Sequence, residues 1–250
     1  MSRPVAKASP SHQLLRVDGI PAPVEVRSHP TARRLTLRVS RTRRAVFLTV
    51  PQNFDVREAN RFLARSLDWV IERLDGVPEA VPFRDGAVLP LRGVLHELQF
   101  AGANAGRRAI VTTIPRLRTY PLLSVTGPIE HAPRRLADWL RAEAKRDLDE
   151  RVTRHAKNLG LRARKLTLRD QKSRWGSCSS DGHLSFSWRL VLAPSFVLDY
   201  VAAHEVAHLA EMNHGARFWR LVAKTMPQLE EAKFWLRGNG MDLYRYGADE

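Results

Sequence analysis

Cysteine is almost absent from this chain of 250 residues, with Cys178 the only one. One thiol cannot close an internal disulfide, which fits a reducing compartment, and it excludes a zinc site built from several cysteines. No run approaches the roughly 18 to 20 uncharged apolar residues of a membrane-spanning helix. The polar start MSRPVAKASPSHQ also lacks a secretory hydrophobic stretch. No membrane association is expected, and the cytoplasm is the expected location. Internal repeats and low-complexity tracts are missing too, which sets solenoids aside.

Acidic residues are scarce beside basic ones, 26 against 41, and the formal net charge is +15. The imbalance is steepest in residues 1–127, with 20 basic and 10 acidic side chains, against 21 and 16 in the remainder. Such a field favours anionic partners, whether nucleic acid, nucleotides or acidic proteins, and identifies no chemistry. Its plain alternative is solubility, because most of the cations are arginines, which a GC-rich genome supplies without selection for binding. Hydrophobic residues at 44% and charged residues at 27% are the balance of an ordinary folded protein. The length allows one large domain or two modest ones.

The pattern predicts an α+β fold: a disordered start over 1–12, a smaller β-rich amino-terminal region over 13–127 with one helix, and a region of mixed helices and strands over 128–250. Strands are expected at 24–27, 35–39 and 46–50, the last two forming a hairpin whose turn is Arg41 to Arg44. In the second of these, Leu35, Leu37 and Val39 alternate with Thr36 and Arg38, so one face meets a core and the other water. Asp55 is placed to cap a helix running to about Leu74, ended by Gly76 and Pro78. Further strands are expected near 87–91, 95–101, 109–113 and 122–125, followed by a soft boundary at Gly127 and Pro128. A long helix from Pro133 to about Asn158 comes next, with Gly160 just past its end. Strands at 165–169 and 183–188 and helices at 194–212, 216–225 and 228–236 complete the pattern.

The helix from Pro194 contains His204-Glu205-Val206-Ala207-His208, an H-E-x-x-H match. Residues four apart on a helix share a face, so both imidazoles can bind one metal ion while Glu205 reaches a water bound to it. Zinc in a catalytic site takes three protein ligands and keeps a fourth position open. His214, six residues after His208, is the candidate third ligand, flanked by Asn213 and Gly215, which tolerate the backbone of a reversing turn. Glu230 or Glu231 is its competitor. In the contrary reading, His204 and His208 are satisfied core histidines and His214 a helix cap.

The segment Gln171-Lys-Ser-Arg-Trp-Gly-Ser-Cys-Ser179, the H-E-x-x-H-x5-H helix and Phe218-Trp219 together resemble the YgjP-like metallohydrolases, relatives of the SprT and WLM metallopeptidases. The close resemblance covers about Lys165 to Trp235. It implies a zincin-like catalytic core, one Zn2+ ion held by His204, His208 and His214, and Glu205 as general base. Zinc would lower the pKa of its water from about 16 towards 7, and Glu205 would pass the proton on to the leaving group. The glycine that metzincins carry midway between the second and third histidines is replaced by Glu211, which argues against that group.

Arg174 is a candidate substrate contact, with a structural ion pair or solvated turn as its alternative. Tyr200, one turn before His204, could serve an oxyanion or orient a ligand, with core packing as its alternative. Glu211 and Asp199 could orient imidazoles. The strand at 183–188, if it forms a sheet edge above the metal, could pair with an extended peptide. Three substrates therefore compete. A peptide or protein comes first. A nucleoside triphosphate would be held by Arg162, Arg164, Lys165, Arg169, Lys172 and Arg174. A nucleic-acid-bound protein would be recruited through Arg33, Arg34, Arg38, Arg41, Arg43 and Arg44. Aromatic residues interleave poorly with these arginines, so a stacking platform for single strands is not expected.

Overall fold

The computed structural model describes residues 12–15, 17, 19–40, 45–52, 54–75, 77, 79–102, 110–171 and 173–247. Residues 1–11 of the start expected to be disordered over 1–12, the hairpin turn at Arg41 to Arg44, the helix-ending Gly76 and Pro78, Ala109 at a strand start and Lys172 lie outside the described residues, while His12 opens a strand. Two compact units divide the chain, Met1–Ala80 and Val81–Glu250.

In the first unit, β1 (His12–Leu15), β2 (Val24–Ser28), β3 (Thr36–Ser40) and β4 (Ala45–Val50) form a sheet of order β1-β2-β4-β3. Two helices follow, α1 (Val56–Arg65) and α2 (Leu67–Asp75). Asp55 caps α1 by accepting from the Arg57 N–H at 2.9 Å. The single helix expected from Asp55 to Leu74 is thus broken at Ser66, whose N–H bonds back to Phe62 and Leu63. Val24, Val26, Val46, Leu48 and Val50 meet Ala59, Leu63, Val70 and Leu74 in one core. On the other side of the sheet the guanidinium groups of Arg27 and Arg38 lie 4.4 and 4.8 Å from the Phe47 ring and cover it.

Among its described residues the second unit holds two sheets and four α-helices. β5 (Val88–Leu91), β6 (Val94–Gly102), β7 (Val111–Ile114) and β8 (Leu122–Thr126) pair in the order β5-β6-β8-β7. α3 (Ala132–Leu159) follows, and the soft boundary at Gly127 and Pro128 falls between β8 and α3, inside this unit. At 28 residues α3 is about 42 Å long, and it serves both cores of the unit. Leu136, Leu140 and Ala144 pack against Leu89, Leu98 and Leu123 of the first sheet. Leu148, Val152 and Ala156 continue the same face into the core that carries the candidate site. The helix ends where Gly160 takes a left-handed conformation, φ 68°, that favours glycine.

β9 (Lys165–Arg169), β10 (Gly176–Cys178) and β11 (His183–Ser187) form a three-stranded sheet of order β10-β11-β9. β11 runs parallel to β9 and antiparallel to β10. The strand expected at 183–188 is therefore the middle strand, not an edge, and Trp188 already belongs to a short 3-10 helix, Trp188–Leu192. The loop before β10 is pinned by Trp175 stacked on Tyr244 at 4.9 Å and by the Tyr244 hydroxyl, which donates to the Gln171 carbonyl at 2.9 Å. α4 (Ser195–Ala207), α5 (Ala216–Thr225) and α6 (Leu229–Asn239) complete the unit. The architecture is α+β, with sheets dominating the amino-terminal part and helices the carboxy-terminal part. Among the described residues no helix is long and apolar enough to cross a membrane.

Candidate metal centre

α4 reads Ser-Phe-Val-Leu-Asp-Tyr-Val-Ala-Ala-His-Glu-Val-Ala, apolar on nearly every side, and a helix of that kind is stable only when surrounded. Leu198, Val201, Ala202, Ala203, Val206 and Ala207 are accordingly buried between α3, the β9–β11 sheet and the carboxy-terminal helices, while Val197 enters the core of the β5–β8 sheet. The helix was expected to run to Met212, but it stops at Ala207, with His208 as its capping residue. The chain then reverses through Asn213 and Gly215 into α5.

That early stop brings three imidazoles together. The ring centroids of His204 and His208, one turn apart, lie 4.9 Å from each other, and the His214 ring is 4.9 and 4.7 Å from them. The Nε2 atoms of His204 and His214 are 3.0 Å apart. One ring nitrogen from each of the three lies within 4.8 Å of the others. Phe218, fully buried, backs all three rings at 4.5 to 4.8 Å. His208 Nδ1 donates to the Glu211 carbonyl at 3.0 Å, which fixes its tautomer and leaves the Nε2 lone pair free. The Tyr200 hydroxyl lies 3.4 Å from His204 Nδ1, the long end of a hydrogen bond.

Burial, with the neighbouring charges of His208, His214 and Lys233, pushes His204 down to about 4. His208 is lowered as well, by burial first, against the opposing Glu211 carbonyl. Both rings are thus neutral near pH 7, the form in which imidazole binds a divalent cation. A tetrahedral zinc ion with nitrogen ligands at 2.0–2.1 Å would set those nitrogens about 3.3 Å apart. The donor set fits a metal ion, and the cluster is consistent with a zincin-like H-E-x-x-H site.

Glu205 is only 5% exposed, and its Oε2 has no hydrogen-bond partner. A buried carboxyl left in this state costs free energy, and groups of this kind cluster at functional sites. Burial pushes it up to about 7, with the Arg174 charge acting against the shift. Its space comes from Gly176: a Cβ there would lie 2.5 Å from Glu205 Oε1 and 2.6 Å from its Cγ. Gly176 is not singled out by the sequence, because the rule that a glycine inside a strand marks close approach by another group applies only once β10 is known. Phe218 stood in a recognised motif without a stated role, and its role is to pack behind the three rings.

The remaining candidates divide. Tyr200 is 7% exposed, and burial pushes its phenol up to about 12, so it stays protonated beside His204. Arg174 is exposed and donates from Nε to Gln171 Oε1 at 2.8 Å, with no ion pair among the described residues. Glu211 orients His208 through its backbone carbonyl, while its side chain pairs with Arg217 at 3.1 Å. Asp199 orients none of the three imidazoles; it accepts from buried His155 on α3 at 2.9 Å. Glu230 is paired with Lys233 at 2.8 Å.

A family described as YgjP-like, metallopeptidase domain, matches residues 33–239. No curated protein matches the chain. Among solved structures, the crystal structure of the metallopeptidase zymogen of Pyrococcus abyssi abylysin is similar over 36% of this chain and 93% of its own. The identity there is 20% and the TM-score 0.33.

Proposed function

Since the chain belongs to the YgjP-like metallopeptidase family, which accounts for most of its length, we propose that it is a zinc-dependent peptidase. His204, His208 and His214 hold one Zn2+ ion, and Glu205 is the general base. The observation that carries this reading is the convergence of three imidazoles beside one buried, unpartnered carboxyl. Three nitrogen donors with a fourth position open are the donor set of catalytic zinc. The bound ion supplies a Lewis acid that polarises the scissile carbonyl and makes water acidic enough to attack near neutral pH.

The chain's own residues do the rest. Glu205 Oε2 takes the proton of the attacking water and then delivers it to the leaving amine. Gly176 keeps the space into which that carboxyl fits. The Glu211 carbonyl and the Tyr200 hydroxyl hold the outer nitrogens of His208 and His204, so the inner nitrogens face a common point. A peptide reading is supported by β10, an edge strand that passes directly beside Glu205. Its outer side offers backbone groups to an extended substrate by strand addition, the role earlier assigned to the strand at 183–188.

One preparation tests the reading. Zinc content and hydrolysis of casein and of a nucleoside triphosphate are measured on the wild-type chain, Glu205→Gln and His204→Ala. Stoichiometric zinc, casein cleavage, and its loss in Glu205→Gln with zinc retained are expected. Full activity in Glu205→Gln removes the base assignment. Triphosphate hydrolysis without casein cleavage replaces the peptidase with a pyrophosphohydrolase on the same centre.

A further inference from the structure

The sheet of β10, β11 and β9 has two unlike faces. One carries Leu166, Leu168, Leu184 and Phe186 into the core that surrounds α4. The other lines an open groove of about 760 Å³, floored by Ser177, Ser185 and Thr167, which the strand register aligns side by side. Lys165 and Arg169 flank Thr167 on the same face of β9, two residues away on either side. Arg174 closes the groove at the β10 end: Gln171 accepts from its Nε at 2.8 Å and donates its own amide to Ser185 Oγ at 3.1 Å. None of these three cations has a carboxylate partner among the described residues, and Asp181 is the one acid in the lining.

β10 is the wall between this groove and the candidate metal centre. Ser177 faces the groove, and Gly176 beside it presses on Glu205. A peptide paired along the free edge of β10 alternates its side chains between the two sides of the sheet, so every second one turns towards the groove. On that side Arg174 stands at the β10 end, and Lys165 and Arg169 stand on β9, two strands or about 10 Å further across the hydroxyl floor; with the hydroxyls, these guanidinium and ammonium groups satisfy the lone pairs of carboxylates. Lys165 and Arg169 lie about 13 Å apart along β9, the span of four residues of an extended peptide. Among the described residues the lining has no Phe, Tyr or Trp, and His183 is its one ring that a base could stack on.

We propose that this groove selects substrates, and that they are acidic polypeptides carrying carboxylates at alternate positions near the scissile bond. The inference rests on the peptidase reading for the nature of its ligand, and binding is therefore measured apart from cleavage. Fluorescence anisotropy on the full-length Glu205→Gln chain compares labelled ten-residue peptides bearing Glu or Gln at every second position. The Glu peptide should bind about tenfold more tightly at about 50 mM salt, with the advantage shrinking as salt rises.

Lys165→Gln with Arg169→Gln should bring the ratio towards one at an unchanged thermal midpoint, and Lys165→Glu with Arg169→Glu should turn the preference towards a Lys peptide. Equal binding of the two peptides, or an advantage that survives both double variants, overturns the proposal. So does displacement of the Glu peptide by a single-stranded oligonucleotide at lower concentration than by unlabelled Glu peptide. Cleavage is scored separately on the wild-type chain. Acidic preference in binding without cleavage of any peptide sinks the peptidase and leaves the anion-binding groove, whereas cleavage without preference sinks the groove alone.

Discussion

Gly176 and Glu205 fit together so closely that a single added carbon at residue 176 would sit 2.5 Å from the Glu205 carboxylate oxygen. The glycine is required by space, since its φ is not in the left-handed region. Gly176→Ala should therefore displace the carboxyl while leaving the three imidazoles in place. A misplacement of about 1 Å costs on the order of a hundredfold in rate, so kcat/KM should fall by that order while zinc content stays at the wild-type value. Parallel metal analysis and kinetics check this, and a loss of zinc equal to the loss of activity would contradict it.

Zinc should stabilise the second unit, because the three histidines proposed to hold it come from the end of α4 and from the reversing segment before α5. At a free zinc concentration a thousandfold above Kd, linkage adds about 4 kcal/mol. A chelator should lower the thermal midpoint and added zinc restore it in wild type and in Glu205→Gln, whose changed side chain is not a ligand. His204→Ala should not respond. A full zinc response in His204→Ala would remove that histidine from the ligand set.

How much of this was legible in the sequence differs from residue to residue. His204 and His208 could be placed because helical spacing alone puts them on one face. The end of α4 could not, since Leu209, Ala210, Glu211 and Met212 are all acceptable in a helix, and the turn that replaces it is held by a local bond from the His208 side chain to the Glu211 carbonyl that residue propensities do not report. Helical periodicity passes straight through Ser66, so the break between α1 and α2 left no trace in the pattern. β10 was invisible for the opposite reason: Gly-Ser-Cys has little strand propensity, and its pairing comes from β11. Without β10 the strand at 183–188 had no neighbour on that side, and it was read as a candidate edge when it is central.

Acid should weaken the tie between α4 and α3. Burial raises the Asp199 carboxyl, but the hydrogen bond and charge of His155 and the charges of Arg154 and Arg151 outweigh it and hold the group below its usual range. A carboxyl with a depressed folded pKa contributes fully above its unfolded value of about 4 and loses that contribution as pH falls through the folded value. Asp199→Asn should cost about 2 kcal/mol at pH 7. Urea melts should show that gap unchanged down to about pH 5 and closing below about pH 4. A gap of constant size at every pH would mean that ionisation of Asp199 is not what stabilises the contact.

Arg92 joins the β5–β6 turn to α3 under backbone strain. Its φ is 52°, a left-handed value that costs a residue with a side chain about 1 kcal/mol. Its guanidinium donates to both oxygens of Asp147 at 2.7 and 2.8 Å and to Glu143 at 2.7 Å. Those carboxylates are only 9% and 11% exposed, and while Glu143 keeps Arg146, Asp147 has no second cation among the described residues. Arg92→Ala leaves a buried carboxylate unpaired and keeps the strain, so it should destabilise by about 3 kcal/mol or more. Arg92→Gly loses the same ion pairs but relaxes the backbone, and it should be more stable than the alanine variant by about 1 kcal/mol. Urea denaturation of the two variants separates the terms: an alanine variant as stable as the glycine one would mean that the turn carries no strain, and a loss under about 1 kcal/mol in both would mean that the buried carboxylates find other partners.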